Sequence, residues 1–119
     1  VSAALRRLDT WVAGGTPPPS AAPIETTDTG IVRDEFGNAR GGVRTPHVDV
    51  PVATLTGETV HVPNNGATVA LPPETIAALY PDHDAYVARF TEATDRAVAA
   101  GFVRFEDARA LVTAARARR

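Results

Sequence analysis

Cysteine, lysine and methionine are all absent from these 119 residues. Without cysteine there is no disulfide, no thiolate nucleophile, no Cys-type zinc site and no iron–sulfur cluster. All 12 basic side chains are arginine, so Schiff-base chemistry and a P-loop lysine are excluded. The lack of methionine leads us to expect a processed product or a piece of a longer protein. Serine occurs only at positions 2 and 20. No apolar run approaches the ~18 residues of a membrane span, and no signal peptide is in view. The expectation is a soluble protein, with export left open. Twelve basic against 14 acidic residues, a net charge of −2, argue against a nucleic-acid partner. The one dense basic run, Arg116, Arg118 and Arg119, reads as a solvated tail at the negative end of a helix dipole.

Leu, Ile, Val and Phe make up 27 of the 119 residues and Ala a further 22. Large apolar side chains are thin for a self-sufficient core, so we expect the chain to complete its core against another polypeptide segment. Three regions follow. Residues 1–15 hold a helix, Ser2 to Ala13, whose Leu5, Leu8, Trp11 and Val12 share one apolar face. It stops at Gly14-Gly15 before a proline run. Trp11 is expected in a core or an interface. Residues 16–71 form an irregular extended segment with short strands or a hairpin. Ile31-Val32 reads as a short strand. Val48, Val50, Val52 and Thr54 alternate with Asp49, Pro51, Ala53 and Leu55, which is strand periodicity confined to an edge by Pro51. Thr59 to Val62 and Ala67 to Leu71 flank Asn64-Asn65-Gly66 as a hairpin. Residues 72–119 are helical. A short helix opens at Pro72-Pro73-Glu74, a second follows the N-cap Asp82, and a third runs from Phe105 to Arg116. Phe105, Ala108, Leu111 and Ala115 are expected to face inward. The last two helices form a hairpin about Gly101. The fold class is thus an α+β fragment.

No complete catalytic constellation is present. G-x-S-x-G, H-E-x-x-H, the dinucleotide fingerprint and the EF-hand loop are all missing. Candidate contacts cluster at Arg44, His47 and Asp49. His47 titrates near neutrality, Asp49 on the same side of a strand would orient it, and Arg44 would pair with Asp49 or with a carboxylate elsewhere. An exposed or hydrogen-bonded strand histidine is the plainer reading of His47. His61 has no evident partner and reads as structural. Asp82-His83-Asp84 is explained by a cap and a first-turn acid without a metal, so no metal or other cofactor is expected. Gly41-Gly42-Val43-Arg44 suits either an anion held by backbone N–H groups or, better, a close backbone approach.

Taken in order, several stretches carry a resemblance. They are Leu8-Asp9-Thr10-Trp11-Val12, Gly15-Thr16-Pro17-Pro18-Pro19, Arg33 through Pro46, Val48 through Thr54, Leu79-Tyr80-Pro81 with Tyr86-Val87, and Gly101-Phe102 before Glu106-Asp107-Ala108. The series resembles the C-terminal portion of bacterial alpha/beta hydrolase domain-containing proteins over roughly residues 5 to 115. The resemblance implies a serine hydrolase of carboxylic esters on a larger α/β-hydrolase fold. Its nucleophile and histidine would lie on an N-terminal portion, in the same or a separate chain, and the substrate would be a small ester. No triad residue is carried over to this sequence. The helix at 1–15 would then be a late core helix, residues 16–71 a wrapping segment, and residues 72–119 outer helices. A non-catalytic binding or assembly module is the rival expectation.

Overall fold

The computed structural model describes residues 2–57 and 65–118. Helix α1 (Ser2–Val12) leads into a short β-ribbon, β1 (Thr26–Thr27) and β2 (Gly30–Ile31). A single helical turn, α2 (Pro46–Asp49), precedes β3 (Ala53–Thr56), which pairs antiparallel with β4 (Ala67–Ala70). Three helices close the chain: α3 (Pro73–Leu79), α4 (His83–Ala99) and α5 (Phe105–Ala117).

The helix boundaries follow from local chemistry. Gly15 N–H bonds Thr10 O and Gly14 N–H bonds Trp11 O, with Gly14 left-handed at φ 87°, which is the Schellman ending of α1. The same pair of bonds ends α4, from Phe102 N to Ala97 O and from Gly101 N to Val98 O. At its start, the Asp82 carboxylate accepts the Ala85 N–H at 2.7 Å, as its N-cap position requires.

The core gathers Val50, Tyr80, Tyr86, Phe90, Ala93 and Ala115, with Val52, Ile76, Leu79, Val87 and Leu111 against it. Tyr86, Phe90, Ala93 and Ala97 form the buried stripe of α4. Tyr80 stands edge-on to Tyr86 and donates its hydroxyl to Pro51 O at 3.0 Å, joining the helices to the approach of β3.

A second anchor is polar. Val52 O accepts the Leu71 N–H on the β4 side of the strand. On the opposite side, Asn38 donates its amide to Ala53 O at 3.1 Å and accepts the Leu55 N–H at 2.7 Å. Asn38 is 1 % exposed. Its loop is pre-shaped by Asp34, whose carboxylate takes the N–H groups of Phe36 and Asn38. Gly37, at φ 78°, lies so close to Thr54 that a Cβ would meet its methyl group.

Two expectations change, at residues 46–49 and at Phe105. Residues 46–49 are a helical turn, not the start of a strand. Pro46 sits at its first position, where its fixed φ suits a helix, Val50 N–H bonds Pro46 O, and Pro46 is buried, so a proline-started turn overrides the valine alternation. Ala67–Ala70 pairs with Ala53–Thr56; the expected partner Thr59 to Val62, with Asn64 and His61, lies outside the described residues. Phe105 is 82 % exposed at the start of α5 rather than inward. Trp11 is likewise exposed, together with Leu5, Leu8 and Val12. The short strand expected at Ile31-Val32 appears as β2, Gly30–Ile31. The radius of gyration is 15.9 Å, against about 13.5 Å for a compact domain of this length.

Replacing Asn38 by Ala strands a buried carbonyl and a part-buried N–H beside β3, and is expected to cost about 1–3 kcal/mol. Urea unfolding checks this. Asn38→Asp loses the donor and sets a buried carboxylate against the Ala53 carbonyl, so it should be no more stable than the Ala variant; an Ala variant as stable as the native chain would remove Asn38 as the anchor.

Candidate functional site

The segment from Arg33 to Asp49 is held by backbone pairing before any side chain is considered. Ala22 O accepts Gly42 N–H, Arg40 O accepts Glu25 N–H, and Val32 O accepts Arg40 N–H. Gly41 and Gly42 are both left-handed, at φ 75° and 71°. A Cβ at Gly41 would run into the Pro23 carbonyl, and one at Gly42 into the Ile24 side chain. The two glycines therefore serve close backbone approach, the second of the two readings of this motif.

Arg44 follows directly. Its Nε donates to Asp49 Oδ1 at 2.7 Å and its Nη1 to Ala39 O at 3.2 Å. The expected Arg44–Asp49 pair is present. The expected orientation of His47 by Asp49 is not, because two residues apart on a helical turn point in different directions and Asp49 is engaged by Arg44. His47 instead sets its ring edge-on to Phe90, centroids 5.2 Å apart. The residue keeps solvent access, but the ring loses hydration against Phe90. This partial burial, with a smaller contribution from the Arg118 charge, holds its pKa below the ordinary 6.5.

Two grooves meet at Phe102. One, of about 420 Å³, is lined by Gly41, Gly42, Arg44, Asp49 and Ala97. The other, of about 450 Å³, is lined by His47 with Ser2, Pro46, Asp107 and Leu111. The structure thus places the three candidate residues on neighbouring grooves, not in one pocket.

The second groove assembles a serine, a histidine and an aspartate, but their bonding is not that of a nucleophile–base–acid relay. Ser2 Oγ donates straight to Asp107 Oδ2 at 2.7 Å. Arg104 grips the same carboxylate with two bonds, 2.9 and 2.8 Å. Arg104 first, then Ser2, holds the Asp107 carboxyl far below the usual carboxylate range, so it is no base at neutral pH. His47 hydrogen-bonds neither residue. This cluster ties the start of α1 to α5, a role that sequence reasoning missed because 105 positions separate Ser2 from Asp107. Among the described residues, no three His, Asp or Glu side chains are grouped to hold a metal ion, and no helix is long and apolar enough to cross a membrane.

A known family accounts for nearly the whole chain. The family described as alpha/beta hydrolase domain matches residues 1–113, and the chain belongs to it. No curated protein matches the sequence, and no solved structure does.

A pH titration of His47 by NMR should give a pKa below 6.5. The unfolded chain then binds the proton more readily than the folded one, so stability falls as pH drops from 6.5 toward the folded pKa. Arg118→Gln should recover only the smaller part of the shift. A folded-state value at or above 6.5 would refute the packing of His47 on Phe90.

Proposed function

We propose that these residues form the C-terminal part of a serine hydrolase acting on carboxylic esters, with the catalytic residues on a more N-terminal portion. The observation that carries this reading is the apolar stripe of α1. Leu5 is 61 % and Trp11 50 % exposed, with Leu8 and Val12 beside them, in a chain that belongs to an alpha/beta hydrolase family. Each large apolar side chain buried contributes about 1.5–3 kcal/mol, so a stripe of four strongly favours a covering body. A late helix packed on an α/β sheet meets that need.

In such an enzyme a serine hydroxyl attacks the acyl carbon and a histidine accepts its proton. The histidine returns the proton to the departing alcohol, and water then releases the acid. Absence of a serine–histidine hydrogen bond among the described residues fits a catalytic set located elsewhere. In this reading residues 1–15 belong to the body, residues 16–71 wrap over it and residues 72–119 pack outside. Arg44, Asp49 and His47 are then the polar groups this segment offers to a small ester at the Phe102 grooves. The N-terminal portion is the partner of the segment. A non-catalytic binding or assembly module is the alternative, in which the α1 stripe meets a different protein.

A fluorophosphonate probe applied to the full polypeptide separates the two. The hydrolase reading expects stoichiometric labelling at a serine outside residues 2 and 20. No labelling of a folded protein supports the module. If the grooves meet substrate, Arg44→Ala or Asp49→Asn should lower ester turnover at temperatures where the variant is fully folded; unchanged turnover removes these residues from the site. Trp11→Asp should lower the yield of folded enzyme, and a freely tolerated Trp11→Asp would argue against the packed stripe.

A further inference from the structure

A third groove, of about 460 Å³, runs between α3, the start of α4 and the end of α5; small-ligand sites commonly span about 300–1,000 Å³. Its lining is chiefly apolar and includes Val52, Ala70, Ile76, Ala77 and Tyr80. Tyr86 also lines it and is only 6 % exposed. Its ring is fixed by Tyr80 and Phe90, at centroid distances of 5.3 and 5.8 Å. The Tyr86 hydroxyl has no hydrogen-bond partner among the described residues. No enclosed side-chain oxygen or nitrogen among them is left unpaired, so this hydroxyl is open to solvent, and the opening its ring lines is the groove. Burial pushes its pKa up, keeping the proton available for donation.

The charges beside it differ in how far they are committed. Asp82 is spent on the cap of α4. His83 sets Nε2 against Arg116 O at 3.1 Å, so that nitrogen carries a hydrogen. Arg118 lines the groove, makes no ion pair among the described residues, and its charge acts on the Tyr86 phenol. One guanidinium and one hydroxyl beside an apolar wall match a single carboxylate with a hydrocarbon tail. A doubly charged headgroup would set its second charge against Asp82.

We propose that this groove binds a small aliphatic monocarboxylate, its carboxylate on Arg118 and the Tyr86 hydroxyl and its tail along Val52, Ala70 and Ile76. The site uses no catalytic residue, so it stands or falls separately from the hydrolase reading.

Calorimetric titration of the full polypeptide with octanoate, and with octanamide as the uncharged control, tests it. Octanoate should saturate at one per chain, with octanamide about tenfold weaker. Tyr86→Phe keeps the ring and Arg118→Gln alters an exposed side chain. Each should weaken octanoate about five- to tenfold at unchanged melting temperature. Absence of saturation in the millimolar range, equal affinity for the two probes, or full affinity in both variants would overturn the proposal. The last result would place octanoate elsewhere, including at a hydrolase active site.

Discussion

The side-chain amide of Asn38 is the constraint on which the middle of the chain depends. A carboxamide carries the same donor and acceptor as a peptide group, and here it meets Ala53 O and Leu55 N–H where a neighbouring strand would. The two-stranded sheet is thereby closed on one side without a third strand. An open strand edge is a site for unwanted pairing, and a single buried side chain covers the centre of this one. The same contact joins β3 to the loop that leads into Arg44. The Asp34 turn presents Asn38, the paired segment 22–42 supports the turn, and Thr54 Oγ1 returns a bond to Phe36 O at 2.6 Å.

Because lysine is absent, arginine does the work of cross-linking, and its planar set of donors suits it to that role. Arg33 bonds Gly37 O, Arg44 bridges Asp49 and Ala39, and Arg104 holds Asp107 with two bonds. Arg89 lies over the Tyr80 ring, 5.8 Å from its centroid. Arg118 stands apart from this set, without an ion pair among the described residues and beside an apolar groove.

Helices were legible because their signals are local. The Gly14-Gly15 stop, the Asp82 cap, Gly101 and the stripe of Tyr86, Phe90, Ala93 and Ala97 all act within a few turns. The extended middle was legible only in part. The valine alternation after Thr45 suggested a strand, but Pro46 starts a helical turn, and the pairing of β4 with residues 53–56 depends on contacts distant in sequence. Of the candidate site, the Arg44–Asp49 pair was one of the two outcomes the sequence left open for Arg44. The separation of His47 from Asp49 was not legible, since it turns on the local change from strand to helix. Nothing adjacent to Asn38 or Tyr86 marks their partners, which come from 15 or more residues away for Asn38 and from the assembled helices for the groove.

The bond between Ser2 and Asp107 closes a ring of almost the whole chain. Closing a long loop is slow even where its extra entropy cost is modest. The β3–β4 sheet and the α4–α5 hairpin close over shorter loops, so the Ser2–Asp107 contact carries the larger loop-closure cost. Anchoring α1 by its first residue leaves Leu5, Leu8, Trp11 and Val12 exposed, so the helix is tied at one end while its apolar stripe stays open.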